Sequence, residues 1–254
     1  NLRTQLTHTG DLKYVNKPAA HYKTDEKSSE TMAMSEQHGV NTLGIHSVPH
    51  ILDTLRKYRF ELGGKMQYII CVTAPVGNDL SEYVKQVEAL VADRYEAIYV
   101  WGVHADKLVA EGRTDTIARL VGLVKERGVL AGVGAHDLNV IKECEKNNVG
   151  ADFYIKTLHH HKYPTAPMPH ELTAPVNEIP GYWCRDPQET VEFMETVEKP
   201  WIAFKVMAAG AIEPPSAFQY AFKNGADHGL AGMFDFELAE AAATVNETLT
   251  SIDR

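Results

Sequence analysis

The sequence has little of what several protein classes depend on. It contains three cysteines, Cys71, Cys144 and Cys184, and no Cys-x-x-Cys pair, so a disulfide framework is not expected. No run of Lys or Arg stands out and the net charge is −9, which argues against a nucleic-acid partner and against an acidic membrane surface. No apolar segment approaches the roughly 20 residues that span a bilayer. We therefore expect neither a nucleic-acid nor a membrane partner.

The length and composition bound the class of protein. The 254 residues are 44% hydrophobic, which is enough for a sizeable core. We find no signal peptide, and a cytoplasmic location is the expectation. Export by a removed N-terminal signal is the alternative, because the sequence opens at Asn1 without a Met.

Short apolar segments alternate with amphipathic segments along the chain. We predict strands at residues 2–6, 40–45, 66–73, 97–103, 129–134, 152–157, 201–207 and 229–234. We predict helices at residues 25–37, 48–62, 79–93, 114–127, 138–146, 187–198, 216–223 and 236–249. About eight such units in this length predict a single α/β domain over residues 1–254, a (β/α)8 TIM barrel. An open doubly wound sheet is the weaker alternative, because no predicted strand is followed by a Gly-x-Gly-x-x-Gly turn.

In such a barrel, functional side chains stand at the carboxyl ends of the strands and in the loops that follow them. One histidine at a strand end is more often structural than catalytic, but histidines at five predicted strand ends favour a functional site. The long Pro-rich loop over residues 158–186, after the sixth predicted strand, is typical of a lid or binding loop. The residues predicted to bind substrate there are His159, His161, Tyr163, Trp183 and Arg185.

Two lysines, Lys156 and Lys205, end neighbouring apolar segments. Adjacent strands lie about 4.8 Å apart, so both amines are expected to face one pocket, where each lowers the other's pKa. A deprotonated amine attacks a ketone or aldehyde to form a Schiff base. The predicted proton-transfer groups are His136, His104 and Asp137. The alternative is that each lysine only pairs with a carboxylate.

A family resemblance points the same way. The segment Gly-Ala-Asp-Phe-Tyr-Ile-Lys-Thr at residues 150–157 resembles the Schiff-base strand of the deoxyribose-phosphate aldolase family, Gly-Ala-Asp-Phe-(Val/Ile)-Lys-Thr. Residues 203–212 are similar to that family's next strand, and the likeness covers roughly residues 97–227. The resemblance implies a class I aldolase-type barrel in which Lys156 forms the Schiff base and Lys205 lowers its pKa. The chain also looks like uncharacterised bacterial TIM-barrel proteins with the same Lys-Thr-Leu-His-His-His signature.

The chain departs from that family in several places, of which two bear on the reaction. The family has an acidic residue inside its fourth strand, where this sequence has the apolar run 98–100. The eighth predicted strand ends in Met-Phe-Asp-Phe-Glu rather than in the small residues that bind phosphate at a helix N-terminus. The resemblance therefore supports the fold and the lysine positions more than a phosphorylated substrate.

A divalent-metal site is the rival hypothesis. Zinc, manganese and iron take imidazole and carboxylate ligands. The candidate ligands are His8, His46, His160, Asp235 and Glu237. Such a barrel would be a hydrolase or a sugar isomerase or epimerase, with Lys156 as a base or anion clamp. The preferred hypothesis is a lyase that acts on a small carbonyl or sugar-like substrate and needs no cofactor; many barrels dimerise, so a homo-oligomer is compatible with it.

Overall fold

Parallel strands form one curved sheet in the computed structural model, which describes residues 24–168, 170 and 184–252. The strands follow one another in chain order: β1 Thr42–His46, β2 Gln67–Val72, β3 Ala97–Val100, β4 Leu130–Ala135, β5 Phe153–Thr157, β6 Trp201–Phe204 and β7 His228–Leu230. Parallel neighbours need a long crossover, and every strand here is joined to the next by at least one helix.

The helices surround this sheet. They are α1 Asp25–Gln37, α2 Pro49–Arg56 with a π-helical turn at Lys57–Glu61, α3 Ser81–Ala92, α4 Gly102–Ala110, α5 Thr114–Lys125, α6 Leu138–Lys146, α7 Pro187–Met194, α8 Pro214–Lys223 and α9 Leu238–Thr250. Within the described ranges, none of these helices combines the length and the apolar character needed to cross a membrane.

The two edges of the sheet come close together. A Cβ atom added to Gly44 in β1 would lie 3.0 Å from Cδ1 of Leu230 in β7. The sheet is therefore a nearly closed barrel, and the predicted TIM-barrel architecture is confirmed with seven strands in the described part of the chain. The first predicted strand, residues 2–6, lies outside the described residues.

Alternate residues of each strand face opposite sides of the barrel wall. The inward-facing residues pack among themselves and include Cys71, Tyr99, Phe153 and Ile155. The outward-facing residues pack against the helices, as Gly229 illustrates: a Cβ added there would lie 3.3 Å from the ring of Phe222 in α8. Strands β2 to β6 are buried along most of their length, whereas β1 is half-buried and β7 is mostly exposed. Strands that are covered on both faces are apolar along most of their length.

Three predicted strands end earlier than expected. The segment 97–103 is a strand only as far as Val100, and helix α4 begins at Gly102. A Cβ on Gly134 would lie 3.1 Å from the backbone nitrogen of Gly102, so α4 starts where two glycines let the backbones approach closely. The segment 201–207 stops at Phe204, because Lys205 has a left-handed φ of 57° that breaks the strand. The segment 229–234 contributes only the short β7.

Two glycine-to-alanine changes test the packed interior. In β4, a Cβ on Gly132 would lie 2.4 Å from the ring of Phe153, so Gly132→Ala should lower the free energy of unfolding by about 1–3 kcal/mol through overpacking. In α5, Gly122 has nothing within 4 Å of its added Cβ, so Gly122→Ala should raise that free energy by up to about 1 kcal/mol through helix propensity. Urea unfolding followed by circular dichroism measures both. Equal stability of the two variants would contradict the inward position of Phe153.

Candidate functional site

Five side chains gather at the carboxyl ends of the strands, and we call this set the barrel mouth: His46, Trp101, His136, Phe204 and Lys205. The rings of His46 and Trp101 meet edge to face with centroids 5.7 Å apart. The imidazole of His136 lies 5.9 Å from the ring centroid of Phe204. The Nζ atom of Lys205 lies 5.3 Å from the same centroid. The mouth thus combines flat ring walls with one amine and two imidazoles.

Lys205 reaches the mouth because of its backbone conformation. Phe204 faces inward, so strict alternation would turn the next side chain toward the helices. A φ of 57° is uncommon for a residue with a side chain and marks a locally strained position. The turn leaves the amine over the inward-facing ring of Phe204. Burial lowers the pKa of His46, and the positive charge of Lys205 acts in the same direction.

His136 follows β4 and is held by Asp106 of α4. The Nδ1 atom of His136 lies 2.7 Å from Oδ2 of Asp106. Oδ1 of the same carboxylate accepts hydrogen bonds from the backbone nitrogens of His136 and Asp137, each at 3.1 Å. Asp106 was not among the residues predicted from the sequence. It is an acidic residue in the second turn of α4, and its role becomes apparent only because α4 packs against β4.

Lys156 leaves β5 on the side that faces the helices. It is in register with Ala135 of β4 and Ala203 of β6, which both belong to the helix-packed layer. It is 1% exposed, and its Nζ donates to the backbone oxygen of Thr157 at 2.8 Å and to Oγ1 of Thr157 at 2.9 Å. The expectation that the two lysines face one pocket is therefore corrected, because Lys156 and Lys205 approach the barrel wall from different sides.

One inserted residue explains the position of Lys156. The aldolase motif has one residue between its Phe and its Lys, whereas this chain has Tyr154 and Ile155. Side chains alternate with a period of two, so one extra residue moves the lysine to the opposite face of the strand. Burial lowers the pKa of Lys156, and Cys184, Asp106 and Asp137 act in the opposite direction. No carboxylate of the described residues forms an ion pair with Lys156. Asp106 and Asp137 raise its pKa through their charge from a longer distance.

Two of the three consecutive histidines form hydrogen bonds with the backbone of Cys184. The backbone nitrogen of Cys184 donates to Nε2 of His159 at 3.2 Å, and Nε2 of His161 donates to the backbone oxygen of Cys184 at 2.6 Å. Nδ1 of His159 donates to the backbone oxygen of His160 at 3.1 Å. These bonds fasten the returning end of the loop 158–186 beside β5. The predicted role of His159 and His161 in substrate binding stays a prediction.

The other residues predicted to bind substrate belong to the same segment of the sequence, residues 158–186. The ring of Tyr163 lies 6.0 Å from that of His159, and burial raises the pKa of Tyr163 to about 12. Arg185 is exposed directly after Cys184. Trp183 lies outside the described residues. Their role in binding likewise stays a prediction.

Two residues predicted to transfer protons lie beside the mouth. His104 packs edge to face on Trp101 with centroids 5.1 Å apart, and burial lowers its pKa. Asp137 caps helix α6, because its Oδ1 accepts from the backbone nitrogen of Asn139 at 3.0 Å. Of the three predicted groups, His136 is therefore the one that stands in the mouth.

The described residues of the metal hypothesis do not form one group. His46 is in the mouth, whereas Nε2 of His160 lies 3.0 Å from Oγ of Ser216 in α8. Asp235 forms an ion pair with Lys27 of α1 at 2.6 Å, and Glu237 accepts from the backbone nitrogen of Phe234 at 2.7 Å. His8 lies outside the described residues. Across the parts of the chain that the structure describes, no three His, Cys, Asp or Glu side chains are grouped as a metal ion requires.

Comparison with known proteins gives the fold. No protein-family profile and no curated protein matches the sequence. An aldo-keto reductase from Bacillus halodurans is 11% identical, covers 88% of this chain and 82% of its own, and has a TM-score of 0.60. A truncated 3-deoxy-D-arabino-heptulosonate 7-phosphate synthase from Thermotoga maritima is 15% identical, with coverages of 90% and 82% and a TM-score of 0.55. A provisionally named deoxyribose-phosphate aldolase from Coccidioides immitis is 13% identical, with coverages of 89% and 80% and a TM-score of 0.54.

These likenesses confirm the TIM-barrel architecture. The fold of this chain is shared with an aldolase, a synthase and a reductase, and identities of 11–15% establish no more than the fold. The chemistry has to be argued from the mouth itself.

The buried imidazole of His159, which bonds to the backbone of Cys184, predicts that the stability of the fold depends on pH. Burial lowers the pKa of His159 to about 4, so between pH 6.5 and 4 the unfolded chain binds a proton that the folded chain does not. The free energy of unfolding should therefore fall as the pH falls through this window, with a His159 contribution on the order of 3 kcal/mol. His159→Gln should show a flatter pH dependence in urea unfolding. His228→Gln, at an exposed position of β7, should keep the wild-type slope; an unchanged slope in the His159 variant would contradict this assignment.

Proposed function

We propose that this chain is a lyase-type, aldolase-like enzyme in which a lysine of the barrel mouth forms a Schiff base with a small carbonyl or sugar-like substrate, and that Lys205 is that lysine. One observation carries the proposal: the amine of Lys205 and the imidazole of His136 lie against the same inward-facing ring, Phe204, at the carboxyl end of the barrel. Enzymes with this fold place their active sites at that end.

Access favours Lys205 over Lys156 as the reacting amine. Lys205 is half-buried beside the mouth, whereas Lys156 is 1% exposed and starts from the helix-facing side of β5. The amine of Lys156 donates two hydrogen bonds, and both go to oxygens of Thr157. Oγ1 of Thr157 in turn donates to the backbone oxygen of His136 at 3.1 Å. We assign Lys156 to holding the ends of β4 and β5 together rather than to the bond-forming step.

Schiff-base formation requires a proton carrier beside the amine. The unprotonated Lys205 nitrogen attacks the carbonyl carbon, a C–N bond forms, and the carbonyl oxygen takes a proton to become a hydroxyl. The nitrogen loses one proton, the hydroxyl leaves with another as water, and an iminium remains. His136 stands beside the same ring and takes and returns these protons.

The iminium then serves as an electron sink for carbon–carbon cleavage. The substrate carries a hydroxyl on the second carbon from the iminium carbon. When this hydroxyl loses its proton, the bond between its carbon and the carbon next to the iminium carbon breaks, which releases an aldehyde. The bonding electrons move to the iminium nitrogen and form an enamine. Protonation of the enamine carbon and addition of water release the second carbonyl product and restore the amine. The reverse sequence is an aldol addition.

Borohydride trapping tests the proposal. The protein is incubated with acetaldehyde, glycolaldehyde, dihydroxyacetone or pyruvate, reduced with sodium borohydride, and examined by intact mass and peptide mapping. We expect one secondary-amine adduct per chain with at least one of these carbonyls, located at Lys205. Lys205→Arg keeps the cation but cannot form the adduct, so trapping should fall at least about tenfold.

A matched control separates this site from surface lysines. Lys223→Arg, at the exposed end of α8, should trap as the wild type does. An adduct located at Lys156 would move the reaction to that residue and contradict the assignment of Lys205. No adduct with any of the carbonyls would contradict the Schiff-base proposal itself.

A further inference from the structure

We infer that Asp106 is a positioning residue that fixes the tautomer of His136, so that Nε2 of His136 is the proton acceptor at the mouth. The inference rests on the proposed function for its catalytic meaning. Its structural content, the location of one proton on one imidazole, stands on the contacts of Asp106.

The carboxylate of Asp106 is held by three hydrogen bonds. Oδ1 accepts from the backbone nitrogens of His136 and Asp137 at 3.1 Å each, and Oδ2 lies 2.7 Å from Nδ1 of His136. An ionised carboxylate only accepts hydrogen bonds, so Nδ1 is the protonated nitrogen. A neutral imidazole carries a single N–H, which leaves the lone pair on Nε2.

The ring is also fixed on its other side. A Cβ added to Gly102 would lie 3.3 Å from Cε1 of His136, so the absence of a side chain there lets the ring rest against the start of α4. The side chains of His136 and Asp106 are 11% and 12% exposed, which limits competition from water for their contact. Nε2 makes no hydrogen bond to any residue within the described ranges, and the ring lies beside Phe204.

This pair lies in a different place from the acidic residue of the family that the sequence resembles. That acidic residue stands inside the strand that corresponds to β3, and here the inward-facing residues of β3 are Ala97 and Tyr99. Asp106 instead comes from α4, behind His136. During Schiff-base formation Nε2 takes the proton of the attacking nitrogen and passes it to the carbonyl oxygen, which becomes a hydroxyl. A second proton, taken from solvent and delivered by Nε2, lets that hydroxyl leave as water, while Asp106 keeps its charge and stabilises the imidazolium.

Nitrogen-15 spectroscopy of histidine-labelled protein at about pH 8.5 tests the inference, with the His136 signals assigned by their loss in His136→Gln. In the wild type we expect the proton on Nδ1. In Asp106→Asn the side-chain oxygen can still accept from the two backbone nitrogens, and the amide then donates to Nδ1. The proton should therefore move to Nε2, and borohydride trapping should slow at least about tenfold.

Two further variants control this result. Asp137→Asn changes the neighbouring acid and still caps α6, so the tautomer of His136 should stay as in the wild type. Asp106→Glu keeps a carboxylate and should recover part of the lost trapping rate. Circular dichroism checks that the variants are folded, and the wild-type tautomer is measured without any substitution.

The outcomes separate this inference from the proposed function. A wild-type proton on Nε2, or a tautomer that Asp106→Asn leaves unchanged, overturns the inference. A switched tautomer with undiminished trapping overturns the role of Nε2 as the proton acceptor at the mouth, because His136 would then not be the proton carrier. Absence of wild-type trapping refutes the Schiff-base proposal, while the spectra still decide whether Asp106 fixes the tautomer.

Discussion

The burial of both faces of the strands β2 to β6 is the constraint on which the rest of this structure depends. Inward-facing side chains such as Phe153 pack in the interior of the barrel, and outward-facing side chains such as Tyr154 pack in the layer between the strands and the helices. Because the two sets alternate residue by residue, the count of residues along a strand decides which environment a side chain meets. A lysine on such a strand is therefore assigned to the barrel or to the helix layer by its position alone.

The candidate site forms where this alternation stops. His136 is the first residue past β4, and Lys205 is the first residue past β6. Beyond the last ladder hydrogen bond the backbone is free to adopt other conformations, and at Lys205 it takes a left-handed one. The strain of that conformation is compensated by the packed surroundings, and its effect is to put an amine over the ring of Phe204.

The histidines show how one residue type is used in two ways. His136 has one nitrogen held by a carboxylate and the other directed away from its partner, an arrangement suited to proton transfer. His159 is buried, and both of its nitrogens contact backbone atoms, so it fastens a loop. The difference lies in the partners, and the partner of His159 is 25 residues away in the sequence.

The sequence by itself determined the architecture, because alternating short apolar segments and amphipathic segments are local patterns that specify strands, helices and parallel crossovers. It also placed His136 and Lys205 at strand ends. Only the tertiary structure decided that Lys156 faces the helices, since that depends on one inserted residue relative to the strand register. The tertiary structure alone revealed α4, because the start of this helix depends on the close approach of Gly102 to Gly134. It also revealed the role of Asp106, because Asp106 meets His136 through a contact between elements that are distant in sequence.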